Sequence, residues 1–349
     1  MFDILEKFWL PGVLVFLFTV VLCLLALKIF PKLGLVDRPR KYGLKRFPIP
    51  YYGGIVIYIA FIVMTLVFVP LDRSVLALLG GATMIFVIGF LDDLFGLSPF
   101  IRLFVQFIAG VVLVFGGIGI LSINLPFVGT LILSEPIFNG VMVLSVLFTI
   151  FWVMAVLNTM NFVDGIGGLS SGVSFVAGLT IFILSIHPGI HENPESQLGV
   201  AMIALIIAMI SLAFLFFDFP KPKILMGDSG STLLGFIIAT LAIFSGGKVA
   251  TAFLVLGIPI LDMIWVVVRR TLQGRKFWHG DLFHLHHRLL GINLSEKTVV
   301  SLYLFITALF GVFAVTFVTS EQKLFILIAL VILMLFLAAS LVFLPRKKQ

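Results

Sequence analysis

The chain has 349 residues, of which 61% are hydrophobic and 11% charged, and a mean hydropathy of +1.25, which excludes a water-soluble surface. A membrane span takes about 20 apolar residues, so roughly ten or eleven spans fit and little chain remains for a soluble domain. The single cysteine, Cys23, excludes a disulfide framework and a thiolate metal site, and the net charge of +7 reads as basic inner loops rather than as a nucleic-acid surface.

The start, MFDILEKFWL, lacks a small-residue cleavage pattern and reads as a retained first span. Eleven apolar runs follow one another at about 9–29, 52–70, 75–91, 100–119, 139–157, 168–186, 197–217, 231–246, 249–268, 299–318 and 324–344. The fold expected is an all-α polytopic membrane protein of about eleven transmembrane helices, one integral membrane domain over 1–349 with a basic cytoplasmic tail at 345–349. Arg346, Lys347 and Lys348 put the C-terminus in the cytoplasm, and an odd count then puts the N-terminus outside. In that orientation only Lys7, Arg73, Lys248 and Lys323, 4 of the 23 basic residues, lie outside. The same orientation gathers Asp92, Asp93, Asp164, Asp218, Asp228 and Asp281 at the inner ends, so the active site is expected on the cytoplasmic face.

Five segments carry polar chemistry. The loop 32–54 holds Lys32, Arg38, Arg40, Lys41, Lys45 and Arg46, ordinary for an inner loop and also attractive to a nucleotide or lipid phosphate. Asp92 and Asp93 follow an apolar run, with Ser98 and Pro99 announcing the next helix. The pair reads either as a solvated stop or as a site for Mg²⁺ or phosphate, since hard cations take carboxylate oxygens. Asn158, Asn161 and Asp164 recur every three residues. Steps of three drift by about 60° on a helix, so they form a polar stripe that lines a site or bonds another helix. Met226-Gly227-Asp228-Ser229-Gly230-Ser231 opens a span with small residues suited to a phosphate nest, where Asp228 is either a cap or a metal ligand. Finally, residues 274–290 hold four of the six histidines, His279, His284, His286 and His287, beside Arg288. Phosphate donation and metal binding are both open there. Asp262, behind Pro259, is an acid inside an apolar run and reads as functional or as a pairing group.

Together these segments resemble the polyprenyl-phosphate N-acetylhexosamine-1-phosphate transferase family, more closely its WecA/TagO-like branch that uses UDP-N-acetylglucosamine. The resemblance runs from about Asp37 to Leu289. It rests on D-R-P from Asp37, P-x-P-x-x-G-G from Pro48, Asp92-Asp93, N-x-x-N-x-x-D-G from Asn158, M-G-D-x-G-S from Met226, P-x-x-D from Pro259 and H-x-H-H from His284. It implies transfer of a sugar-1-phosphate from a UDP-N-acetylhexosamine to undecaprenyl phosphate in the bacterial cytoplasmic membrane, with Mg²⁺ or Mn²⁺, release of UMP, and homodimerisation as a family-level expectation. It further implies Asp228 and Asp93 at the metal, Asp92, Asp93 and Asp164 in catalysis, and Asn158, Asn161, Lys45, His284, His286, His287 and Arg288 on substrate.

Two positions depart from the family pattern. Relatives read D-G-x-D-G after the Asn stripe, where this chain has Gly167 in place of the second acid, and Lys45 stands where many relatives place a histidine. Leu285 interrupts the histidine triplet of the sister branch that transfers phospho-N-acetylmuramoyl-pentapeptide, and so argues against that branch. A secondary transporter would converge its acids near the bilayer midplane, whereas here they lie at inner helix ends; a catalytically silent scaffold is the reading that Gly167 motivates.

Overall fold

The protein is represented by a computed structural model that describes residues 2–37, 39, 47–125, 129–136, 142–187, 197–244, 253–274, 284–317 and 320–343. Its helices are α1 (Phe2–Ile29), α2 (Gly54–Phe68), α3 (Arg73–Phe95), α4 (Pro99–Phe115), α5 (Val143–Val163), α6 (Leu169–Ile186), α7 (Leu198–Asp218), α8 (Gly227–Phe244), α9 (Gly257–Leu272), α10 (Leu285–Gly291), α11 (Glu296–Thr316) and α12 (Ser320–Phe343). Among the described residues seven helices are long and apolar enough to cross a membrane, namely α1, α3, α5, α6, α7, α8 and α11, and α2 and α4 are shorter apolar helices. The chain is a polytopic membrane protein. Each of the eleven apolar runs overlaps one helix of the structure.

The all-α expectation needs one correction. Between α4 and α5, β1 (Ser122–Leu125) and β2 (Gly129–Ile132) form an antiparallel hairpin in which Ser122 faces Ile132 and Leu125 faces Gly129. The stretches are four residues each and broken by Pro126 and Gly129, too short for an alternating pattern to stand out. Gly129, the first residue of β2, has a positive φ of +109°, which glycine adopts without a Cβ penalty. Helix α3 runs to Phe95 and α8 starts at Gly227, so Asp92, Asp93 and Asp228 lie within terminal helical turns.

Helix α8 is the centre of the bundle. From Ser229 to Ile243 every residue is buried, as expected of a helix that is apolar all round, and it packs against α2, α3, α5 and α6. Small residues permit the approach, because interhelical contact in a bilayer is driven by close packing. A Cβ on Gly89 of α3 would lie 2.6 Å from Ser229 Cα, and one on Gly235 would lie 2.6 Å from Leu157 Cα. Trp152 of α5 adds a hydrogen bond to the Ala239 carbonyl at 3.0 Å. Gly89→Ala and Gly235→Ala are therefore expected to lower the melting temperature in detergent, at a cost of about 1–3 kcal/mol each. Gly199→Ala, with nothing within 4 Å of its Cβ, should not.

Candidate active site

The sequence motifs are assembled by backbone contacts at one end of the bundle. Asp37 N–H donates to the Ile49 carbonyl at 3.0 Å and its carboxylate accepts from Ile49 N–H at 2.8 Å, tying D-R-P to P-x-P. Leu225 N–H then bonds the Pro50 carbonyl, Gly53 N–H the Leu225 carbonyl and Gly54 N–H the Met226 carbonyl, each at 2.9 Å. A Cβ on Gly54 would meet the Ser229 hydroxyl and Gly230 N. The paired glycines thus let the start of α2 lie directly on the start of α8.

Asp93 is the cap of α8. Its carboxylate accepts from Asp228 N–H at 2.9 Å, Ser229 N–H at 3.1 Å, Ser229 Oγ–H at 2.7 Å and Tyr51 O–H at 3.0 Å. The two amides are orphan donors of a helix start, here satisfied by a carboxylate from another helix. Burial and the charges of Asp93 and Asp228 raise the Tyr51 phenol, which keeps it a donor.

Asp92 and Asp228 share one cation. Arg102 Nη1 donates to Asp92 Oδ2 at 2.6 Å and to Asp228 Oδ2 at 3.1 Å, while Asp92 Oδ1 accepts from Leu97 N–H at 2.7 Å. The Asp92 side chain is 8% exposed and that of Asp228 is 40% exposed, so Asp228 is the carboxylate open to a ligand. Asn161 donates to Ser231 Oγ at 3.2 Å, and Asn158 donates to Gln106 Oε1 at 2.8 Å. Asn158, Asn161, Asp92, Arg102 and Asp228, with Gln106 and Thr232, line a cavity of about 380 Å³. Most of the remaining lining is apolar, including Ile85, Leu103, Phe151, Met154, Phe162 and Met263. An anionic head with a hydrocarbon tail fits that division.

Asp164 ends α5 as its C-cap residue. Loss of water and then the charges of Asp218, Asp228 and Asp93 push its carboxyl well above the usual range. Such a group holds a proton or waits for a cation. Asp228 and Asp164 carry carboxylate oxygens of the kind a hard cation could take, although among the described residues no cluster of three or more such side chains is formed. Asp93 has four donors already on its two oxygens, which leaves Asp228 the better candidate for such a contact.

The histidines are held by Asp262. Its Oδ2 lies 3.0 Å from His284 Nδ1 and its Oδ1 accepts from Leu285 N–H at 2.9 Å, with both side chains buried. His284 stacks on His286 at 5.7 Å and contacts Phe162 at 5.3 Å, which links the motif to α5; His286 and His287 lie 4.2 Å apart. A Cβ on Gly165 would lie 2.5 Å from His286 Nε2, so D-G needs its glycine to admit the ring. Arg288 is in the last turn of α10. Lys45 and His279 lie outside the described residues.

The sequence reading passed over Arg102, Tyr51 and Gln106. Arg102 and Gln106 had a signal, since they are a cation and an amide one helical turn apart inside the apolar run 100–119. Tyr51 had none, because its role depends on α3 and the 48–54 segment meeting.

The comparisons with known proteins bear directly on this arrangement. Residues 75–246 match the family described as Glycosyl transferase family 4. The chain is 31% identical over 340 residues to the undecaprenyl-phosphate alpha-N-acetylglucosaminyl 1-phosphate transferase of Escherichia coli O157:H7, covering 94% of this chain and 88% of that protein. The chain belongs to glycosyl transferase family 4. It is also 31% identical over 301 residues to the decaprenyl-phosphate N-acetylglucosaminephosphotransferase of Mycobacterium tuberculosis strain CDC 1551 / Oshkosh, covering 77% of this chain and 72% of that protein. A probable undecaprenyl-phosphate N-acetylglucosaminyl 1-phosphate transferase of Bacillus subtilis is 28% identical over 316 residues, 88% and 84% of the two chains.

Two expected outcomes follow from the geometry of this family member. Asp228→Asn should lower turnover by at least about 100-fold with little change in melting temperature. Asp93→Ala should lower both, because it strands the buried donors of α8 at a cost of about 1–3 kcal/mol. The second outcome concerns pH. Burial, then the neighbouring His287 and His284, lowers the His286 imidazole from 6.5 to about 3. Between those values the unfolded chain binds a proton that the folded chain refuses, so this contribution is full above about 6.5 and declines as pH falls towards 3. Melting temperatures of His286→Gln should accordingly fall less steeply than those of the unsubstituted protein on acidification from about pH 7 to pH 5.

Proposed function

We propose that the protein transfers N-acetylglucosamine-1-phosphate from UDP-N-acetylglucosamine to undecaprenyl phosphate, releasing UMP and leaving a pyrophosphate-linked lipid sugar. The observation that carries this reading is a polar cluster, Asp92, Arg102, Asn158, Asn161 and Asp228, on the wall of a cavity whose remaining lining is mostly apolar. The chain around it is 31% identical to the Escherichia coli transferase over nearly its full length. The positive-charge bias of the loops supports eleven spans with the N-terminus outside, which puts this cluster on the cytoplasmic face of the bacterial inner membrane. Nucleotide sugar reaches it from the cytoplasm and lipid phosphate from the bilayer.

The reaction forms one P–O bond between a lipid phosphate oxygen and the sugar-bearing phosphorus of the donor, and breaks the P–O bond from that phosphorus to UMP. The lipid phosphate is an oxyanion at neutral pH and needs no covalent enzyme intermediate. The work left to the protein is therefore positioning and charge stabilisation. Arg102, bridging two carboxylates on the cavity wall, receives the lipid phosphate in this reading; Asp92 fixes Arg102 and the turn through Leu97. Asn158 and Asn161 offer amide donors along the same wall. His284, oriented through Nδ1 by Asp262, and Arg288 serve the pyrophosphate, with His286 acting as a neutral hydrogen-bonding group. Asp228, with Asp164 near it, would hold Mg²⁺, which would supply charge neutralisation to the UMP leaving group.

The test uses purified protein in detergent with Mg²⁺, undecaprenyl phosphate and labelled UDP-N-acetylglucosamine. Label entering the lipid phase with equimolar UMP, lost with EDTA or in Arg102→Met, is the expected result. Label entering only from another UDP-sugar would reassign the donor, and none from any would overturn the reading.

A further inference from the structure

Gly167 removes a carboxylate that relatives carry, yet the position is not empty of charge. Asp218, the last residue of α7, is 2% exposed and reaches the same loop from a different helix. Its Oδ2 accepts from Gly168 N–H at 2.8 Å and from Ser171 Oγ–H at 2.9 Å. Gly168 is the N-cap residue of α6, with φ +86° and no cap bond from a side chain of its own. Asp218 is thus a cap lent across the bundle, as Asp93 is to α8. A Cβ built on Gly167 would lie 3.3 Å from Asp218 Oδ1, 2.7 Å from its carbonyl oxygen and 2.5 Å from Pro222 Cγ. A carboxylate at 167 and a carboxylate at 218 would occupy adjoining space.

We propose that Asp218 is a positioning residue for the transferase reaction, taking from within the bundle the place of the missing second acid of D-G-x-D-G and holding the 164–168 loop, and with it Asp164, in register. Among neighbouring carboxylates, Asp218 acts most strongly on Asp164. The 164–168 loop has Asp164 at one end and His286 against Gly165, so a shift of the loop moves both sides of the site. Gly167 is then a relocation of the acid and not a degraded site, and restoring aspartate there alone is harmful. The inference rests on the transferase reading for its kinetic half only.

Amide hydrogen exchange in detergent and initial-rate kinetics test it together. Asp218→Ala should speed exchange across 164–172 while leaving 227–235, capped by Asp93, unchanged, and should lower kcat by at least about tenfold. Asp218→Asn keeps an oxygen for Gly168 and Ser171 and should recover most of both losses. At position 167 the comparison of interest is Asp against Ala, which removes the steric effect common to both. With Asp218 present, Gly167→Asp should be at least about fivefold slower than Gly167→Ala; in the Asp218→Asn background, where the amide can donate to the new carboxylate, that difference should vanish or reverse. The same Asp-against-Ala difference in both backgrounds, or unchanged exchange over 164–172 in Asp218→Ala, would overturn the proposal. If the unsubstituted protein transfers no sugar phosphate at all, the reaction is misassigned, and the exchange data still decide the role of Asp218.

Discussion

A carboxylate lent by one helix to the N-terminus of another is the interaction on which this site depends. Asp93 of α3 caps α8, Asp218 of α7 caps α6, and Asp262 of α9 accepts from the first amide of α10. A helix start carries amides with no partner of their own, and near a bilayer little water is available to satisfy them. Each carboxylate meets that need with charge-assisted bonds and opposes the positive end of the helix dipole. The result is that the three helices beginning with M-G-D-x-G-S, G-L-S-S and L-H-H start in fixed positions relative to one another.

This divides the acids by task. Asp93 and Asp262 have both oxygens bonded within the protein and Asp218 has its Oδ2 so bonded, and all three set where other groups stand. Asp92 is engaged through Oδ1 by Leu97 and through Oδ2 by Arg102. Asp228 and Asp164 are left facing the cluster, one exposed and the other raised in pKa by its surroundings. Arg102 bridges Asp92 and Asp228 in a region with several negative side chains. In such a cluster a divalent cation and a phosphate would each offset the repulsion that the other meets. Apolar residues from Ile85 to Met263 line the same cavity.

Much of this was legible in the sequence, and the failures are instructive. The eleven apolar runs each overlap a helix, and among the described residues seven of those helices are long and apolar enough to cross a membrane, because the length and hydropathy of a span are set by the bilayer rather than by neighbours. The polar motifs were recognisable because polar residues at the ends of such runs are expensive and therefore stand out. Their division of labour was not legible. Asp93 and Asp228 look alike in one dimension, and only the contact between α3 and α8 shows that the first caps the second. Asp262 could be read as functional or structural until His284 was placed 3.0 Å from it. Arg102 was hidden by being counted as part of an apolar run. The hairpin between α4 and α5 was too short to leave a periodic trace, and Asp218 stood out only as one of the inner-end acids because the partners that define its role lie 47 and 50 residues away.

The most direct test of the account is a structure of the protein with UDP-N-acetylglucosamine and Mn²⁺ as an anomalous stand-in for Mg²⁺. The account predicts one strong metal peak within about 2.5 Å of an Asp228 oxygen, with Asp93 still bonded to the amides of residues 228 and 229. A metal coordinated by Asp93 in place of those amides, or seated among His284, His286 and His287 with Asp228 uninvolved, would contradict it.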